Sequence, residues 1–89
     1  MSRIKIPAVL RPGVGGLREI EAGGATVGEA LQQLVAAHPS LEGRVFENGE
    51  VPEFLNVFVD GDDIRVLAGL DTKVADDSVV LLLPAVAGG

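Results

Sequence analysis

The sequence has no cysteine, which excludes disulfides, thiolate metal sites and a thiol nucleophile. Basic residues are scarce: 7 Lys and Arg stand against 13 Asp and Glu, for a formal net charge of −6. This charge disfavours binding to nucleic acid or to an anionic membrane surface and favours a protein partner with a basic face. The longest apolar run is far shorter than the ~20 residues of a membrane span, and no secretory signal pattern is present. We therefore expect a cytoplasmic protein.

Residues with catalytic chemistry are few. His38 is the only histidine, and its position at the predicted end of a helix, beside the last carbonyls, favours a structural role. The glycine-rich segment 13–16 does not lead into a helix and has no Gly-Lys-Ser/Thr ending, so it predicts a turn and not a phosphate-binding loop. The acidic group of Asp60, Asp62 and Asp63 lacks the further ligands of a calcium loop. We expect a protein that is not an enzyme and that binds no metal or cofactor.

The composition predicts one folded domain, since 47% of the 89 residues are hydrophobic. Residues 3–10 (RIKIPAVL) have apolar side chains at every second position, as a half-buried strand does, and residues 17–22 (LREIEA) alternate again. The glycine-containing loop between these segments indicates a β-hairpin. Pro7 marks an irregular position in the first strand, because proline cannot donate a ladder hydrogen bond.

One helix is predicted after the hairpin. Thr26 followed by Glu29 forms a capping box, which is typical of a helix start, and Pro39 ends the segment. Between these residues the apolar side chains recur with helical spacing on one face: Val27, Ala30, Leu31, Leu34 and Val35. A helix with one apolar face must pack on a sheet.

The second half of the chain predicts three more strands. Residues 54–66 (FLNVFVDGDDIRV) contain a strand, a turn at Asp60–Asp62 and a second short strand. A turn at Asp76–Asp77 then leads to a last strand over Val79–Leu83. The resulting order matches an α+β fold of the β-grasp (ubiquitin-like) type, a mixed sheet with one main helix on one face. In this roll the first and last strands are adjacent and parallel.

The last strand is apolar on both faces, as strands covered on both sides are. One helix covers only one face of the sheet, so the other face is expected to keep an exposed apolar patch. If Leu55, Val57 and Val59 face the helix, Phe58 faces away from it. Phe58 is therefore a candidate partner-binding residue, together with Val86 just beyond the last strand.

The sequence ends in LLLPAVAGG. Pro84 has no amide hydrogen to donate, and the small residues after it have no predicted strand to pair with. We predict a β-grasp domain over residues 1–84 and a flexible tail over residues 85–89.

The chain resembles the β-grasp sulfur carriers of the MoaD/ThiS family. The resemblance covers nearly the whole chain and is carried by FLNVFVDGDDIR, by VADDSVVLLLPAVAGG and by the early LRP with its glycines. Within the family, the carriers of an actinobacterial cysteine pathway are the most similar. One difference is the turn before the last strand, where the usual Gly-Asp is Asp76-Asp77 here.

The resemblance implies that the Gly89 carboxylate is adenylated by an ATP-using, E1-like enzyme and is then converted to a thiocarboxylate by a persulfide donor. Gly88 and Ala87 would let the tail enter a narrow channel in each partner. The chain itself would bind no cofactor. The implied acceptor is a cysteine synthase or another sulfur-incorporating biosynthetic enzyme, such as one acting on a molybdopterin precursor or a thiazole phosphate. A metallopeptidase would release the finished cysteine.

Two alternative functions are also compatible with the predicted fold and the Gly-Gly ending. The chain could be a ubiquitin-like modifier that is joined through Gly89 to lysines of other proteins. It could also be a β-grasp binding module whose Gly-Gly ending has no role.

Overall fold

The central strand of the sheet is the last one in the sequence. In the computed structural model, which describes residues 1–85, this strand pairs in parallel with the first strand and antiparallel with the third. The sheet order is β2-β1-β5-β3-β4, and the five strands are β1 (Ser2–Lys5), β2 (Glu19–Ala22), β3 (Leu55–Val59), β4 (Asp62–Asp63) and β5 (Val79–Pro84). The predicted mixed sheet, with adjacent parallel first and last strands, is confirmed.

The helix α1 (Val27–Ala37) begins and ends as the sequence predicts. The Thr26 hydroxyl accepts a hydrogen bond from the Glu29 amide at 3.2 Å, and the Glu29 carboxylate accepts one from the Ala25 amide at 2.8 Å. The capping box thus closes one residue earlier than the usual form. At the other end His38 is the C-cap, and its backbone amide donates to the Leu34 carbonyl at 2.9 Å.

The core lies between α1 and one face of the sheet. Alternate residues of β3 and β5 point into it, so Leu55, Val57 and Leu82 are each no more than 1% exposed. The other buried apolar side chains of the core are Ile4, Ile6, Leu10, Val14, Ala22, Val27, Ala30, Leu31, Leu34, Leu41, Val45, Val59, Ile64 and Val80. We call the opposite face of the sheet, which faces away from α1, the outer face.

The prediction of a strand through residue 10 is wrong beyond Lys5. Residues Ala8–Val14 form a 3₁₀ helix that buries Leu10 and Val14. Proline at position 7 cannot donate to a ladder, and the Arg11 side chain turns back to donate to the Ile6 carbonyl at 3.1 Å. The apolar positions that indicated a strand therefore serve a helical turn after Pro7.

The predicted second short strand is also shorter than expected. The hairpin turn is as predicted, since Asp60 and Gly61 both have positive φ, of 50° and 94°, as a two-residue type I′ turn requires. The strand then ends at Asp63, whose carboxylate accepts a hydrogen bond from the Arg65 amide at 2.9 Å and begins a 3₁₀ helix over Ile64–Val66. A further 3₁₀ turn, Gly69–Asp71, follows.

Candidate functional site

The end of β5 fixes the point at which the tail leaves the sheet. Pro84 is paired with Leu55, and the Ala85 amide still donates to the carbonyl of Phe54. The expectation that pairing stops at Pro84 is therefore wrong for Ala85. The remaining candidate residues of the tail, Val86, Ala87, Gly88 and Gly89, lie outside the described residues. Four residues beyond Ala85 span at most about 14 Å when extended.

An apolar stripe runs along the outer face beside this point. It consists of Phe58 from β3 and Val79, Leu81 and Leu83 from β5. Phe58 is paired with Leu81, and all four side chains lie at positions that alternate with buried core residues. Leu83, the last of them, is 44% exposed. The predicted direction of Phe58, away from the helix, agrees with this alternation, although Phe58 is only partly exposed. Its role in partner binding stays a prediction.

Phe54 extends the stripe toward the tail, and the sequence analysis did not single it out. Phe54 lies in the turn just before β3, and its carbonyl accepts a hydrogen bond from the Ala85 amide. Extending the two-residue period of β3 back by one residue assigns its side chain to the same face as Phe58. Phe54 is 48% exposed, which is unusual for a phenylalanine held against a sheet. The same period of two, counted back from Phe58, was the signal in the sequence that could have found it.

Positive charge borders the stripe in this acidic protein. On one side Arg3 and Lys5 are paired in register with Val79 and Leu81, and Lys5 also lines a cleft of about 420 Å³ with Arg11, Arg18, Leu81 and Leu83. The only nearby ion pair among the described residues is a loose one, at 3.9 Å, between Arg3 and Glu19.

On the other side of the stripe, the Arg65 guanidinium donates to the Asn56 side chain at 2.7 Å. Acidic side chains lie among these cations, since Asp63 is paired in register with Phe58, and Glu21 and Glu19 are paired with Arg3 and Lys5. The surroundings of the stripe are therefore mixed in charge, and we call the cleft with Lys5, Arg11 and Arg18 its basic border. A partner that covers this face and presents acidic side chains opposite the basic border would be attracted to it.

The other candidates from the sequence have structural explanations. The Asp60 carboxylate accepts a hydrogen bond from the Val79 amide at 2.9 Å, which ties the hairpin turn to β5. Within residues 1–85, no group of three or more His, Asp or Glu side chains is arranged to hold a metal ion. The glycine-rich segment 13–16 ends the first 3₁₀ helix, with Gly15 as its left-handed C-cap. No helix within that same range is long and apolar enough to cross a membrane.

A five-stranded mixed sheet that holds one helix and ends in its own central strand defines a ubiquitin-like β-grasp protein. Comparison with protein families places the chain more closely: the ThiS family matches residues 4–89, so the chain belongs to the ThiS family.

Known proteins similar to the chain include a sulfur carrier and a protein modifier. Sulfur carrier protein CysO of Mycobacterium tuberculosis (strain ATCC 25618 / H37Rv) is 37% identical over 89 residues, which cover 97% of this chain and 96% of CysO. Small archaeal modifier protein 1 of Haloferax volcanii is 41% identical over 80 residues, covering 85% of this chain and 87% of the modifier. Among solved structures, a chain of the Amycolatopsis orientalis BexX/CysO complex superposes with a TM-score of 0.93 at 36% identity, with both chains fully covered.

Proposed function

We propose that the chain is a sulfur carrier whose Gly89 carboxylate is adenylated by an E1-like enzyme and is then converted to a thiocarboxylate. The observation that carries this proposal is the family match, which extends to Gly89 itself. The similarity to a sulfur carrier over nearly the full length of both chains supports it. The absence of cysteine is consistent with it, because the sulfur would be carried on the terminal carbonyl and not on a thiol.

The chemistry explains why glycine would be needed at the end. A carboxylate is a poor electrophile, so one of its oxygens first attacks the α-phosphorus of ATP and displaces pyrophosphate. A persulfide sulfur then attacks the carbonyl carbon, and AMP leaves with the carbon–oxygen bond pair. A thiol of the activating enzyme would next attack the donor's sulfur in the acyl disulfide, which releases the thiocarboxylate and leaves a disulfide between that thiol and the donor. At Gly89 no side chain crowds the carbonyl carbon during these attacks.

The apolar stripe supplies the surface on which partners would be held during these steps. The tail leaves the sheet at Ala85, next to Phe54 and Leu83. A partner that covers the stripe therefore lies within reach of the four residues that follow. We therefore propose that an E1-like enzyme, and afterwards a sulfur-accepting enzyme, bind the outer face in turn, because both must bring their reaction centres to the same carbonyl carbon.

We further propose that the acceptor is a biosynthetic enzyme of the cytoplasm. A cysteine synthase is the first candidate, because the chain is similar to sulfur carrier protein CysO over nearly its full length, and a metallopeptidase would then release cysteine from Gly89. The carrier itself contributes no catalytic group, and the ATP is bound by the activating enzyme.

Changes to the tail test this proposal. One residue added after Gly89 should abolish carrier-dependent pyrophosphate exchange by the activating enzyme, because the Gly89 carboxylate becomes an amide and the new carboxylate lies beyond the catalytic centre. Gly88→Val should reduce the exchange strongly, because a β-branched side chain restricts the backbone and widens the tail. Both proteins should melt as the wild type does. An extended protein that forms a thiocarboxylate without first being trimmed would refute the proposal.

A second candidate function is conjugation to other proteins, which the similarity to the Haloferax volcanii modifier favours. The two functions differ in the product formed at Gly89. A modifier would be recovered from its host in isopeptide linkage to lysines, and a carrier would be recovered as the free acid or the thiocarboxylate. Mass spectrometry of tryptic peptides from host protein separates these outcomes.

A further inference from the structure

A second surface of the molecule is a groove on the other side of β3 from the stripe. It has a volume of about 780 Å³ and lies between the segment 50–55 and the two 3₁₀ turns of residues 64–71. Leu55 and Val57 form part of its floor, and these are the residues of β3 that alternate with Asn56 and Phe58 of the outer face. The floor of the groove therefore faces away from the stripe, and the two surfaces adjoin at Arg65.

The floor and sides of the groove are apolar. Leu55, Val57 and Ile64 lie at the bottom, and half-buried Val51 and Leu70 stand on opposite sides. Two more apolar side chains, Val66 and Leu67, are 78% and 45% exposed on the segment that forms one side. Exposed aliphatic side chains beside an apolar depression are typical of a surface that binds another protein.

Both sides of the groove are held by hydrogen bonds. On one side the chain turns at Asn48 and Gly49, and Glu47 and Glu50 exchange two backbone hydrogen bonds of 2.7 and 3.1 Å. On the other side the Thr72 hydroxyl accepts from the Ala68 amide at 3.1 Å, and the Thr72 carbonyl accepts from the first amide of α1 at 2.9 Å. The groove is therefore formed before any partner binds.

The charge at the edge of the groove is negative. Glu50, Glu53 and Asp71 line it, and no ion pair within residues 1–85 involves any of these three carboxylates. The one cation in the lining, Arg65, directs its guanidinium to the Leu55 carbonyl at 3.3 Å and to the Asn56 side chain at 2.7 Å. An apolar floor with an acidic edge complements a chain segment that presents apolar side chains flanked by lysine or arginine.

We propose that this acidic groove is a second docking site, which binds a basic, apolar segment of a partner protein. Its occupant leaves the apolar stripe and the tail free, so one partner can be held at the groove while another acts on Gly89. The groove proposal does not depend on the sulfur chemistry. A protein extended beyond Gly89 should bind at the groove as the wild type does.

Binding to a synthetic peptide tests the proposal. The peptide has alternating pairs of leucine and lysine, and its matched partner has glutamate in place of every lysine. Titrated into the full-length ¹⁵N-labelled protein, the lysine peptide should shift the amide resonances of residues 50–55 and 64–71. The glutamate peptide should bind at least tenfold more weakly.

A matched pair of variants distinguishes binding in the groove from nonspecific attraction of the peptide to a negatively charged protein. Glu50→Gln, Glu53→Gln and Asp71→Asn together should weaken binding about tenfold, since three exposed ion pairs are lost. The control combines Glu42→Gln, Asp62→Asn and Asp77→Asn, three exposed carboxylates outside the groove lining, and it changes the net charge equally. Equal weakening in both variants, shifts centred on the apolar stripe, or no binding of the lysine peptide would overturn the proposal.

Discussion

Phe54 should contribute to partner binding about as much as it contributes to the fold. About half of the side chain, 48%, is exposed. A phenylalanine buries roughly 150–250 Å² in full, so about 100 Å² is left for a partner to cover. At ~25 cal/mol per Å², covering this area contributes about 2.5 kcal/mol at most to the binding free energy, and an alanine at this position would keep part of that contribution. We therefore expect Phe54→Ala to weaken binding of the activating enzyme by about 1.5–2 kcal/mol, or roughly 10–30-fold in Kd.

The covered half of Phe54 sets the cost to stability. Its area is also about 100 Å², so by the same coefficient, and with alanine keeping part of the contact, Phe54→Ala should lower the free energy of unfolding by about 1.5–2 kcal/mol. Titration calorimetry with the activating enzyme gives the Kd, and urea denaturation gives the stability. Val66→Ala is the control, because Val66 is 78% exposed but lies outside the stripe. An unchanged Kd, or a change no larger than that of Val66→Ala, would show that the stripe does not extend to Phe54.

Two further variants probe the helix and the basic border of the stripe. Thr26→Ala removes the side-chain cap of α1 and should lower the free energy of unfolding by about 1 kcal/mol, which corresponds to a fall in Tm of about 4–8 °C. Thiocarboxylate formation at low temperature should stay unchanged. Loss of this activity in a folded protein would contradict a purely structural role for Thr26. Lys5→Gln with Arg18→Gln should slow association with the activating enzyme several-fold at low salt and little at high salt. The same slowing by Lys73→Gln, which lies outside the cleft lining, would count against a specific role for the border.

The elements that the sequence predicted well are those specified by local patterns. Thr26 and Glu29 define the start of α1 by hydrogen bonds within one turn, and the alternation in β3 and β5 gives the correct buried faces. Asp60 and Gly61 tolerate the positive φ that the hairpin requires. In each case neighbouring residues alone decide the conformation.

The prediction was wrong where the local sequence pattern fits two kinds of secondary structure. Ala8 and Leu10 continue the alternation of β1, but Leu10 and Val14 are also spaced as in a helical turn, and packing at the end of the core decides between them. The Ser40 hydroxyl donates to the Gly13 carbonyl at 2.9 Å, across 27 positions of sequence. Such a contact cannot be deduced from either segment alone.

The candidate site also has features that local sequence patterns predict and features that depend on the packing of distant segments. The direction of Phe58 follows from the period of β3. The basic border and the acidic groove do not, because each joins residues from separate segments. Lys5 and Arg18 meet only through the hairpin, and Glu53 and Asp71 meet only when the 3₁₀ turns fold over β3.

The intact mass of the protein after activation tests the central proposal most directly. The protein, with no tag at its C-terminus, is incubated with the activating enzyme, ATP and a persulfide donor. We predict a product heavier by the exchange of one oxygen for sulfur, located at Gly89 by fragmentation, that reacts with a thiol alkylator although the chain has no cysteine. A mass that stays that of the free acid, while the enzyme converts an established carrier under the same conditions, would contradict the proposal.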